Sequence, residues 1–178
     1  MKVLAVSGSL QARSSNRALL QTAHRVAPEG VELVDSVSVG DVAPFNPDLD
    51  RAGATPAAVT ELRAQVAGAA GVLIASPEYA HSLPGALKNA LDWLVGSGEL
   101  YDKPVVVLCA SPRPTGGVLG REALEQTLKA QGAKVAASVT VAVAAADKGG
   151  DELRDPAAME AVAAALAVLA TAASDPAG

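Results

Sequence analysis

The chain has 178 residues, of which 50% are hydrophobic but only 2% aromatic, and it carries a net charge of −5. A chain of this length buries roughly 70% of its unfolded surface in one core, and here that core must be built from Ala, Val and Leu. The acidic balance and the lack of a basic run argue against a nucleic-acid partner. No apolar run approaches the roughly 20 residues of a membrane span, and MKVLAVSGSL is too short and strand-like for a signal peptide. The expectation is a cytoplasmic protein with no membrane partner. Cys109 is the single cysteine, so no disulfide can form within the chain. Lying in the apolar run Val105–Ala110, it reads as a small buried hydrophobe.

Strand-like and helical patterns alternate along the chain. Lys2–Ser7 reads as a strand, followed by a helix from about Ser15 to Ala27 with Leu19, Leu20, Ala23, Val26 and Ala27 on one face. Val31–Val37 is a second strand. A long connection rich in Pro and Asp, Ser38–Pro56, precedes a helix around Ala57–Ala67. The apolar run Ala70–Ala75 is the third strand. A helix follows with Leu83, Leu87, Leu91 and Leu94 as its core stripe. Pro104–Ala110 is strand four, Val118–Gln131 a helix closed by Gly132, and Lys134–Val143 strand five. The last helix starts with Asp155 as cap and Pro156 at its first position. Five strands alternating with five helices imply one domain over 1–173 with a parallel sheet covered on both faces. The tail 174–178 is expected to fray. The alternation alone leaves strand order 2-1-3-4-5 and a truncated dinucleotide fold both open.

In a parallel sheet, the loops after strands one, three and four share one edge, where ligands bind. Here these are Ser7–Asn16, Ser76–Pro84 and Ser111–Gly117, rich in Ser, Gly, Pro and Asn. The first supplies Ser7, Ser9, Ser14 and Ser15 hydroxyls, the Asn16 amide and the Arg13 guanidinium directly before a helix. Unpaired N–H groups and the positive end of the helix dipole favour an anion there. Several hydroxyls and one arginine suit a terminal phosphate monoester, and one hydroxyl must cap the helix. Neither G-x-x-x-x-G-K-[ST] nor G-x-G-x-x-G is present. Asp35, at the end of strand two, resembles the ribose-binding acid of a dinucleotide fold, but the glycines that admit a pyrophosphate are missing. The third loop, SPRPTGG, offers a double glycine whose backbone suits close approach to a flat ligand.

Two motifs then carry a family resemblance. GSL-x-x-x-S-x-N-x-x-L spans Gly8-Ser9-Leu10 and Ser14 to Asn16. PEY-x-x-S-x-PG-x-LKNA-x-DW spans Pro77-Glu78-Tyr79, Ser82, Pro84-Gly85, Leu87-Lys88-Asn89-Ala90 and Asp92-Trp93. Together they resemble the NADPH-dependent FMN reductases, a family that includes quinone, chromate and azo reductases on a flavodoxin-like fold. The resemblance runs from Lys2 to about Val143 and implies a three-layer sandwich of strand order 2-1-3-4-5. It implies FMN as cofactor, NADPH or NADH as co-substrate, a small-molecule electron acceptor, and a homodimer or homotetramer.

On this resemblance Ser9, Arg13, Ser15 and Asn16 hold the FMN phosphate. Pro77, Glu78, Tyr79 and Ala80 line the flavin ring, largely through the main chain, and Ser111, Gly116 and Gly117 approach its polar edge. Many members carry Asn directly after the Tyr, where this chain has Ala80 followed by His81; a side-chain contact to the flavin is then absent or supplied by His81. The flavin carries the chemistry, so no side chain is named as catalytic, and no metal is expected. Tyr79 is the loops' single aromatic, which leaves one ring face open to a nicotinamide. Trp93, on the flank of its helix's stripe, and the Asn89 side of that helix read as a subunit interface. The long Ser38–Pro56 loop reads as a cover for a neighbour's flavin.

Overall fold

In the computed structural model, which describes residues 1–113, 115–143 and 153–175, ten regular elements alternate. They run β1 (Lys2–Ser7), α1 (Ser15–Val26), β2 (Glu32–Asp35), α2 (Ala57–Gly68), β3 (Gly71–Ala75), α3 (Gly85–Asp92), β4 (Pro104–Ser111), α4 (Val118–Ala130), β5 (Lys134–Ala142) and α5 (Pro156–Ser174). The five strands form one parallel sheet in the order β2-β1-β3-β4-β5. This is the flavodoxin-like order, and the dinucleotide alternative falls away.

Alternation along the strands divides the core in two. Leu4, Val6, Val72, Ile74, Val105 and Val107 point to the face covered by α2, α3 and α4. Val3, Ala5, Leu73, Ala75, Val106 and Leu108 point to the face covered by α1 and α5. The central strand β3 is buried at every position, as a strand covered on both faces must be. The edge strand β2 is shorter than its apolar run, with only Glu32–Asp35 in register with β1.

Helix ends follow local chemistry. Ser14 Oγ accepts from the Asn16 N–H at the start of α1, and Asp155 Oδ1 from the Ala157 N–H at the start of α5. Gly132, at φ +73°, turns the chain just beyond α4. The α5 helix runs to Ser174, and residues 176–178 lie outside the described part. With 19 residues and a mean hydropathy of 1.7, α5 is long and apolar enough to cross a membrane by length and composition, which the apolar-run reading missed. Its Ala158, Val162, Ala165, Leu166 and Leu169 stripe is instead buried on the sheet.

The connection from β2 to α2 is an ordered strap. It holds a single 3-10 turn at Pro47–Leu49 and is fastened to its own chain. Asn89 Nδ2 donates to the Val42 and Ala43 carbonyls, and its Oδ1 accepts from the Phe45 N–H at 2.7 Å. Trp93 Nε1 donates to the Ala43 carbonyl at 2.8 Å, and Phe45 meets the indole edge-on at 5.1 Å between ring centroids. Trp93 is therefore fully buried within one chain. The expectation of a subunit interface at Trp93 and Asn89 is corrected: both bind the strap, whose carbonyls absorb the indole N–H and the Asn89 amide.

Candidate functional site

The three loops expected to converge do so. The N–H of Gly8 bonds the Ala75 carbonyl at 2.8 Å, which holds the end of β1 against the end of β3. A β-carbon at Gly8 would meet Ser76 Oγ at 2.9 Å and Leu87 at 3.0 Å, so the first two loops touch where a side chain has little room. Asn16 Oδ1 accepts from the Ala110 N–H at 2.9 Å and thereby ties the start of α1 to the end of β4.

This bond fixes the Asn16 amide. With Oδ1 held by Ala110 and the Asn16 N–H held by Ser14, the Nδ2 group has no partner among the described residues. The Ser15 and Arg17 N–H groups of the first turn are equally unpaired there. Ser9 is buried, and its hydroxyl accepts from the Gln11 N–H at 3.2 Å while keeping its proton to donate. Ser15 is half-buried at the first helical position, and Arg13 lies on the exposed loop with no polar partner among the described residues. An unsatisfied donor set at a helix start is what a phosphate monoester needs. The residues present fit that group.

The second loop departs from expectation in its hydrogen bonding. Tyr79 and Ser82 exchange both main-chain bonds, at 2.9 and 3.0 Å. Ala80 and His81 between them take φ +49° and +61°, the mirror-image turn that Gly and Asn normally occupy. The Tyr79 main chain is thus spent inside the turn. The Glu78 N–H lies beside the Cys109 sulfur. Main-chain groups without a partner among the described residues include the Glu78 carbonyl and the N–H and carbonyl groups of Ala80 and His81. Pro77 is half-buried between them and the strand, while the Tyr79 side chain is 51% exposed at the rim.

The Glu78 side chain turns away from this rim. Its Oε2 accepts from the Gly120 N–H at 2.8 Å, placing a carboxylate on the first turn of α4. Oε1 lies 3.4 Å from His81 Nδ1. Gly120 is required by the approach, since a β-carbon there would lie 2.8 Å from Glu78 Cβ.

The double glycine of the third loop has a cause inside the protein. A β-carbon at Gly116 would fall 1.9 Å from Ser111 Oγ, and one at Gly117 2.2 Å from Cys109 Sγ. Gly117 also takes φ +74° as the residue capping α4. Ser111 is buried, with its hydroxyl accepting from the Arg113 N–H. The glycines let the loop settle onto β4, and this packing is a reason sequence reading missed. Burial pushes the Cys109 thiol above its ordinary value, with nearby Glu78 adding to the rise and Arg121 opposing it. Arg121 itself is occupied on β5, where Nε meets Thr140 Oγ1 and Nη1 the Ser138 hydroxyl and carbonyl.

Beside the first loop, on its β2 side, lies a cavity of about 210 Å³. It was not anticipated, although Asp35 on its wall was singled out. No group of His, Cys, Asp and Glu suited to a metal occurs among the described residues.

The model of the NADPH-dependent FMN reductases matches residues 1–148. The chain belongs to that family. A quinone reductase of Escherichia coli K12 is 35% identical over 130 residues, covering 72% of this chain and 69% of that protein. An NAD(P)H-dependent FMN reductase of Pseudomonas aeruginosa is 37% identical over the same shares. Among solved structures, the flavoenzyme NAD(P)H:(acceptor) oxidoreductase of Paracoccus denitrificans superposes with a TM-score of 0.78 at 25% identity, covering 96% of this chain and 97% of the other. Family membership and fold therefore stand together: the matched region contains all three loops.

Proposed function

We propose that this protein is an FMN-dependent oxidoreductase that passes electrons from NADPH or NADH to a small oxidant such as a quinone, free flavin, metal oxyanion or azo compound. The observation that carries the reading is the unsatisfied donor set at the start of α1. There the Asn16 Nδ2 and the Ser15 and Arg17 N–H groups have no partner among the described residues, next to the Ser9 hydroxyl. Ser9, Arg13, Ser15 and Asn16 would hold the phosphate. Pro77, Glu78, Tyr79 and Ala80 would border the ring, and Ser111, Gly116 and Gly117 would close its far side. Bound FMN supplies two-electron redox chemistry, and the chain supplies orientation and electrostatics.

Of the main chain beside the ring, the Ala80 and His81 N–H groups and the Glu78 carbonyl are among those free to fix its polar edge. The Glu78 carboxylate acts one step removed, holding the start of α4 so that the second and third loops keep a constant gap. Donor and oxidant use the same open face and exclude each other, which predicts parallel lines in steady-state plots. A homo-oligomer in the cytoplasm completes the reading, assembled through a surface other than Trp93.

The phosphate assignment is tested with Asn16→Asp. That change keeps the acceptor that binds Ala110 but turns the Nδ2 donor into a negative oxygen. FMN affinity should fall by roughly tenfold or more, from the loss of a charge-assisted hydrogen bond, while riboflavin affinity should hold. Equal affinity of the unaltered protein for the two flavins would defeat the assignment. Anaerobic mixing with excess NADPH or NADH tests the enzyme: bound flavin should bleach within seconds. Flavin that stays oxidised for minutes yet responds to dithionite would mark an electron carrier instead.

A further inference from the structure

The cavity beside the phosphate loop lies between the carboxyl ends of β1 and β2, against α1. Its walls combine Ser9, Arg17, Gln21, Asp35, Ser36 and the aliphatic Leu20. Asp35 holds one oxygen on His24, Oδ1 to Nε2 at 2.9 Å, and its second oxygen has no partner among the described residues. The Arg17 side chain makes no hydrogen bond or ion pair with any described residue. Such a pocket offers a carboxylate, a cation, an amide and several hydroxyls around a small apolar floor. That is a chemistry for a sugar carrying hydroxyls with a phosphate attached, rather than for a flat apolar oxidant.

Position points the same way. Neighbouring strands lie about 4.8 Å apart, and the ring-bordering loops follow β3 and β4. The β2 end is then two to three strand spacings away, roughly 10–14 Å, across the phosphate loop. An extended dinucleotide whose nicotinamide lies over the ring would place its adenosine half at that distance. A carboxylate at the end of β2 is the group that accepts from a ribose 2′-hydroxyl in dinucleotide folds, and it repels a 2′-phosphate.

We propose that this cavity takes the adenosine ribose of the nicotinamide donor, with Asp35 accepting from its 2′-hydroxyl and Arg17 pairing with the pyrophosphate, so that NADH is preferred over NADPH. The inference rests on the oxidoreductase reading above and adds the donor's second subsite and its selectivity.

The test uses the FMN-loaded protein. Titration calorimetry with 5′-ADP and with 2′,5′-ADP should show the first binding and the second binding about tenfold more weakly or worse. Asp35→Asn should narrow that gap severalfold and shift the ratio of kcat/KM for NADH over NADPH in the same sense. Arg17→Ala should weaken 5′-ADP and both dinucleotides alike, and Asp35→Asn should not alter the affinity for FMN by more than about twofold. An unaltered protein that prefers NADPH, an undetectable 5′-ADP signal, or an Asp35→Asn variant with an unchanged ratio would each overturn the subsite. If neither dinucleotide reduces the flavin at all, the oxidoreductase reading fails instead, and the two failures are told apart by the reduction trace.

Discussion

Gly117 holds φ +74° with the Cys109 sulfur 2.2 Å from where a β-carbon would stand. Gly117→Ala therefore combines left-handed strain with overpacking, each worth about 1–3 kcal/mol. The melting temperature should drop by several degrees, and removing the sulfur with Cys109→Ala in the same chain should recover much of the steric part in a double-mutant cycle. Ala80 and His81 present the opposite case, side chains already standing where Gly or Asn would be relaxed. Ala80→Asn should raise stability by about 0.5–1 kcal/mol in denaturant unfolding; a loss of stability would show that the turn is unstrained. The Cys109 thiol is 2% exposed and should resist iodoacetamide at pH 8 in the native protein, yet react at once in denaturant.

At the scale of elements, the strap is held by α3 rather than by neighbours in sequence. Asn89→Ala removes the side-chain partners of the Val42 carbonyl and the Phe45 N–H together, and one of the two donors to the Ala43 carbonyl. It should cost about 2 kcal/mol and speed proteolysis between residues 38 and 56, with α2 and α3 intact by circular dichroism. Unchanged cleavage would mean that Trp93 and the Arg63–Asp50 pair, 2.8 Å apart, suffice alone. Here the limits of the sequence also show. The stripes of Leu19, Leu87 and Leu91 and the cap at Asp155 are local signals, and all were readable. Trp93 was misread because its partner is a carbonyl 50 residues away on the chain, which the periodicity of α3 cannot register. The same holds for Glu78: its motif was plain, but its bond to Gly120 depends on where two loops meet.

For the whole molecule, strand order and the edge that gathers the three loops followed from the alternation of elements plus the two motifs. The cavity at the β2 end did not, since Arg17, Asp35 and Ser36 belong to different elements and form no spaced pattern. Two global measurements bear on the fold. Trp93 emission should be that of a buried indole and should stay constant on dilution through any change of assembly state; a red shift on dissociation would return Trp93 to an interface. Stability should also depend on alkaline pH. Because burial raises the Cys109 thiol above its ordinary value of 9.0, the folded chain keeps a proton that the unfolded chain releases. The contribution is intact below that value and declines as pH rises past it, so the decline above pH 9.0 should be shallower in Cys109→Ala.

The two-point fastening of the strap sets where the gene can lengthen this loop. Asn89 and Trp93 stand one helical turn apart and clasp Val42–Phe45, so an added residue there would throw both anchors out of step at once. Gly53, at φ +80° with open space around it, lies past both anchors and past the Asp50 pair. Insertions that tune what reaches over the sheet's edge should accumulate around Gly53 and spare the clasp, so that the strap can lengthen without losing its anchors.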